Sequence, residues 1–113
     1  MSRRNGQSLA RYVLAKIGQL KQDSPNQPPD EYWKQVLQRR SGWRQINADA
    51  FEFRTGDRLE LRKGAPIKEL LARMTEIEVK PLGAGLPAEA QKVLLEEARK
   101  AAVDWWEKNE AKG

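Results

Sequence analysis

The sequence predicts a small α+β domain, with helices flanking a β-hairpin and a long helix closing the chain. Three observations lead there. Phe51 and Phe53 alternate with Glu52 and Arg54, and Leu59 and Leu61 alternate with Glu60 and Arg62, on either side of Thr55, Gly56 and Asp57. Period-two alternation around a glycine-containing turn is the mark of a hairpin. Other stretches place apolar residues three and four apart, the spacing of amphipathic helices. The 113 residues are 39% hydrophobic and 33% charged, enough for one core and too apolar for wholesale disorder.

Taken in order, residues 1–7 read as a disordered basic N-terminus and 8–113 as a single domain. Ser8 is a good N-cap for a helix over Leu9–Lys21, on which Leu9, Val13, Ile17 and Leu20 share a face. The basic, acid-free stretch 1–22 fits a core-packing first helix; it also fits the description of a mitochondrial presequence. Pro25, Pro28 and Pro29 mark a linker, and Pro28 or Pro29 suits the first position of a helix running to Arg40. Asp30 and Glu31 sit in its first turn and Arg39 and Arg40 in its last, as the helix dipole favours. Trp33, Val36 and Leu37 form its apolar stripe, and Gly42 stops it. Residues 41–50 fit a short helix, with Trp43, Ile46 and Ala50 three and four apart, and equally an irregular loop pinned by Trp43.

After the hairpin, Ile67, Leu70, Leu71 and Met74 predict a helix over Ile67–Met74. The period then changes: Ile77 and Val79 alternate with Glu76, Glu78 and Lys80, which predicts a third strand ended by Pro81. The alternative is that the helix runs on. Leu82–Leu86 is a connector. Pro87 opens the last helix, Ala88–Glu110. Leu94, Ala98, Ala101 and Trp105 form one seam on it, and Leu95, Ala102, Val103 and Trp106 widen the apolar surface. Two apolar sides give two expectations for the Trp105 and Trp106 region: a surface for a protein partner or second copy, or a helix sunk in a groove of its own domain.

Composition excludes several chemistries. With no cysteine and no histidine there are no disulfides, thiolate nucleophiles, Ser–His catalysis or ordinary zinc sites. No cofactor, metal or catalytic residue is expected, and the reading is non-enzymatic. No apolar run is long enough for a membrane span. The missing cysteines fit a reducing cytosol, so a cytoplasmic location is expected. The net charge of +5 matters through its placement. Residues 1–22 carry Arg3, Arg4, Arg11, Lys16 and Lys21 without an acid, and the rest of the chain is balanced. Such a segment attracts phosphate.

The leading expectation is therefore a small nucleic-acid-associated binding protein, or a subunit of a nucleoprotein assembly, that contacts DNA or RNA phosphates through its first helix. A winged-helix arrangement would add a base-reading helix with Arg44, Gln45 and Asn47, whose side chains suit base edges, and a hairpin wing with Arg54, Arg58 and Arg62 toward phosphates. Tyr12, Tyr32, Trp33 and Trp43 would supply stacking surfaces for unpaired bases, if they are not core anchors. The runner-up is an assembly subunit working through Trp105 and Trp106.

Two resemblances are local. Glu78 and Lys80, with Asp57, resemble the core of PD-(D/E)xK nucleases, where carboxylates hold a divalent metal and lysine stabilises charge at the reacting phosphate. The chain lacks the Pro-Asp of that pattern, and a helix separates the strands. Thr55–Leu61 resembles a piece of the swapped-hairpin transcription factors of the AbrB type, without their preceding Pro-Lys-Glu strand and turn.

Overall fold

The computed structural model describes residues 2–61 and 66–110; the side chains of Ser2, Arg3, Arg4, Pro29 and Glu110 lie outside that description. Four helices and one small sheet make an α+β fold. The order is α1 (Ser2–Asp23), α2 (Pro29–Arg39), β1 (Trp43–Asn47), β2 (Ala50–Phe53), β3 (Arg58–Glu60), α3 (Ile67–Val79) and α4 (Ala88–Glu110), with a 3₁₀ turn, Lys80–Gly83, between the last two.

Helix α1 begins at Ser2, not near Ser8, so the segment expected to be disordered is helical over residues 2–7. The reason is tertiary. Packing on a neighbour stabilises helix that intrinsic propensity would not, and α1 packs mainly along α4. Gly6 is buried there, with its backbone against Ala98 and Ala102; a Cβ at Gly6 would stand 2.2 Å from the Ala98 carbonyl oxygen. Leu9, Val13, Ile17 and Leu20 enter the core as their spacing predicts. Helix α2 starts with Pro29 at its first turn, following Pro28, and buries Trp33, Val36 and Leu37.

The sheet is antiparallel in the order β1-β2-β3. The hairpin forms as its alternation dictates. Phe51 pairs with Leu59 and Glu52 with Arg58, and the turn closes through Gly56 N–H donating to the Phe53 carbonyl at 2.8 Å. The third strand is β1, from the segment expected as short helix or loop. Gly42, at φ +91°, reverses the chain after α2, which delivers Trp43 opposite Phe53 with ring centroids 5.0 Å apart. Trp43, Phe51, Phe53 and Leu59 line the inner face and join the helices in one core.

The strand expected over Thr75–Lys80 is instead the second half of α3. The step from Met74 to Ile77 continues the helical series from Ile67, and Ile77 and Val79 are both buried. Thr75, the one buried polar residue among those described, is satisfied within the helix by donating to the Leu71 carbonyl at 2.7 Å. Alternation over so few residues fitted either period, and continuity with the preceding turn decided it.

Candidate nucleic-acid interface

Strand alternation and register determine what the sheet shows to solvent. Residues paired across strands share a face. Arg44, Glu52 and Arg58 therefore form one row across β1, β2 and β3. Two strand spacings of about 4.8 Å put the two arginine backbones roughly 10 Å apart. Arg44 Nη2 donates to Glu52 at 2.7 Å. Arg58 is exposed, with no carboxylate within ion-pair distance among the described residues. Arg54 lies two residues beyond Glu52 and is also exposed, and its N–H donates to the Gly42 carbonyl at 2.9 Å. Its guanidinium carbon is 5.3 Å from the Phe53 ring centroid. The outer sheet face thus carries Arg44, Arg54 and Arg58 with two acids, Glu52 between the strands' arginines and Glu60 two residues beyond Arg58.

The first-helix cations do not form a single stripe. Arg11, Lys16 and Lys21 are successively five residues apart, which rotates each by about 140° around the helix from the last. Arg11 is exposed. Lys16 stands 5.8 Å from the centre of the Tyr12 ring, and Lys21 stands 5.9 Å from that of Tyr32. Arg3 and Arg4 lie in the first turn of α1, with side chains outside the described set, and Arg62 lies outside the described residues altogether.

Two residues that the sequence presents only as helix-dipole complements connect these groups. Arg40, just after α2, stacks its guanidinium 4.5 Å over the Tyr12 ring that also carries Lys16. Its Nε and Nη2 donate to Glu78 at 3.1 and 2.8 Å, and Trp43 Nε1 donates to the same carboxylate at 2.8 Å. The hydrogen bond to Glu78 outweighs desolvation and raises the Arg40 pKa further, so its charge is permanent. Arg39, beside it, is exposed and lacks an acidic partner among the described residues. A chain of contacts therefore runs from Lys16 and Tyr12 on α1, through Arg40, to Trp43 and the Gly42 bend, and on to Arg54 and the sheet arginines. The signal for it in the sequence is the adjacent pair Arg39 and Arg40 immediately before a glycine bend and a strand.

Other expectations are corrected. Residues 43–47 are strand, so there is no base-reading helix and no winged-helix arrangement. Gln45 accepts from Gln38 and donates to the Asn47 carbonyl, both at 3.1 Å. The Asn47 side chain accepts from the Asp49 N–H at 2.9 Å. Asn47 also lines a cleft of about 730 Å³ with Asp30, Glu31, Asp49 and Glu60, whose charge Lys34, paired with Glu31 and Asp49, offsets only in part. Gln45 and Asn47 are exposed, on a strand and its end rather than on a base-reading helix. Tyr32, Trp33 and Trp43 are core residues, and Tyr12 is half-buried beneath Arg40, so none is a free stacking surface. Trp106 is 2% exposed, and Trp105 is half-buried against the core, so Trp106 offers no open surface to a partner.

The nuclease-like trio does not assemble. Glu78 sits on a helix and is occupied by Arg40 and Trp43, while Lys80 pairs with Asp57 at 3.2 Å. Among the described residues no group of three acids is placed to hold a metal, and no helix is long and apolar enough to cross a membrane. Comparisons of the chain with protein families, curated proteins and solved structures found no match.

Proposed function

We propose that this is a small non-enzymatic binding protein that associates with nucleic acid through the phosphate backbone. One observation carries the reading: the exposed cations Arg11, Arg39, Arg54 and Arg58 have no carboxylate partner among the described residues, in a chain with a net charge of +5. Four acids, Asp30, Glu31, Asp49 and Glu60, lie in a cleft of their own, and others are held in ion pairs that tie helices together, such as Glu107 with Lys68 and Glu76 with Arg99. An uneven charge of this kind raises the local concentration of polyanions and speeds encounter with them.

The test is retention of the full chain on immobilised heparin and on immobilised DNA, eluted with a salt gradient. Counterion release makes such binding fall steeply with salt, so retention at low salt with elution well below about 0.5 M is expected. A chain that flows through both columns at low salt would remove the reading. The protein-partner alternative no longer rests on Trp106, which is buried; what remains for it is the exposed apolar side chains Leu82, Leu86 and Val93.

A further inference from the structure

Granting the nucleic-acid reading above, we infer that the docking surface is the basic band from Lys16 through Arg39 and Arg40 to Arg54, Arg44 and Arg58, and that its ligand is a duplex.

Contact geometry supports the band. Both Lys16 and Arg40 stand over the Tyr12 ring, and Glu78 locks Arg40 to Trp43 at the start of β1. The Gly42 carbonyl holds the Arg54 backbone, and the ladder sets Arg44 and Arg58 astride Glu52. The carboxylates on the band, Glu78 and Glu52, are each committed to an arginine. Asp57, at the hairpin turn, is paired with Lys80. That leaves Lys16, Arg39, Arg54 and Arg58 as cations free of acids among the described residues. The acidic cleft at the Asn47 and Glu60 end of the sheet bounds the surface on that side.

The preference for a duplex follows from what the band lacks. Recognition of unpaired bases without sequence preference relies on aromatic faces for stacking. All eight aromatic side chains are buried or half-buried, and the outer sheet face offers only Ile46 among charged residues. Cations on rigid strands and a helix end, with no stacking surface, suit a regular backbone of high charge density. Duplex DNA carries one charge per about 1.7 Å of axis.

The experiment is fluorescence anisotropy with the full chain, a labelled duplex of about 20 base pairs and the corresponding single strand, titrated from about 20 to 200 mM salt. Four free cations predict a log–log salt slope of about −3 to −4 on the duplex. Duplex binding should be at least about fivefold tighter than single-strand binding under the same conditions. Arg54→Glu with Arg58→Glu should weaken duplex binding at least tenfold and flatten the slope by about two. Arg54→Gln with Arg58→Gln, which places no new acid beside Glu52, should weaken it in the same direction. Lys92→Glu with Lys100→Glu, an equal charge change on the exposed side of α4, should cost less than about threefold. Tighter binding to the single strand, or a loss with the α4 pair equal to that with the sheet pair, overturns the inference while leaving the broader reading in place. Binding to neither nucleic acid at the lowest salt overturns both.

Discussion

At the scale of single residues, Glu78 is the side chain on which most depends. Four residues after Met74 and seven after Leu71, it shares their face of α3, and its side chain is only 13% exposed. A carboxylate drawn out of water needs charge and hydrogen bonds in return. Two N–H groups of Arg40 and one of Trp43 supply them. Removing one partner of a buried pair leaves the other unmatched, which costs about 3–5 kcal/mol when burial is complete. Arg40 keeps partial access to water, so Glu78→Ala should cost about 2–3 kcal/mol in urea unfolding. Glu78→Gln, which retains an acceptor for Trp43, should cost less. Asp57 makes a smaller, pH-dependent contribution. The Thr55 hydroxyl first, and Lys80 second, hold its carboxyl below the usual aspartate range. A depressed carboxyl stabilises the fold at pH values above its unfolded pKa of about 3.9, and the contribution is lost as pH falls through the lower folded value. Asp57 is half-buried but its partner Lys80 stands mostly in water, so the effect is at most about 1 kcal/mol. The stability advantage of the wild type over Asp57→Asn should thus be constant from about pH 7 to 5 and be lost as the pH falls from the unfolded value of about 3.9 through the lower folded one.

At the scale of elements, α1 contains two glycines with opposite consequences. Gly18 is exposed, and a Cβ there would meet nothing within 4 Å, whereas Gly6 faces the backbone of α4. Gly18→Ala should raise stability by up to about 1 kcal/mol through helix propensity alone. Gly6→Ala gains the same propensity but must push α1 off Ala98, and overpacking of this kind costs about 1–3 kcal/mol. Thermal unfolding of the two variants should therefore shift in opposite directions; a shift of the same sign would mean that α1 and α4 do not cross at Gly6. These elements also show what is legible in the sequence. The hairpin, α2 and α4 are readable because each repeats one period with suitable flanks: Pro28 before α2, Gly56 in the turn, Pro87 before α4. Strand β1 is not, because its inward-side residues Trp43 and Gln45 give no clean alternation of apolar and polar types, and because a bulge breaks the register between Gln45 and Asn47. The start of α1 is equally hidden, since its support is Ala98 and Ala102, far away in the chain.

At the scale of the whole molecule, the sequence shows how much charge there is and where it lies along the chain, but not which groups meet. That is a property of topology: Arg40 reaches Tyr12 on α1 and Glu78 on α3, both distant in the chain. The same distinction decides the role of Trp106. Its place on a two-sided apolar helix suits either a partner or the core, and α4 resolves this by packing on both α1 and α3. Small residues Ala98, Ala101 and Ala102 allow that close approach, and Trp106 fills the space beyond them. Its indole Nε1 is buried without a hydrogen-bond partner among the described residues, which marks the ring as a filler of apolar volume. Trp106→Ala should then cost about 3–5 kcal/mol, a large share of the roughly 5–15 kcal/mol available to a domain of this size. Trp106→Phe, which keeps most of the ring and removes the unpaired N–H, should cost less than half as much. Guanidinium unfolding of the two variants, with size-exclusion chromatography alongside, separates the roles. A core tryptophan gives a large drop in midpoint that the phenylalanine variant largely restores. A tryptophan that serves a partner leaves the midpoint unchanged and moves only the elution volume.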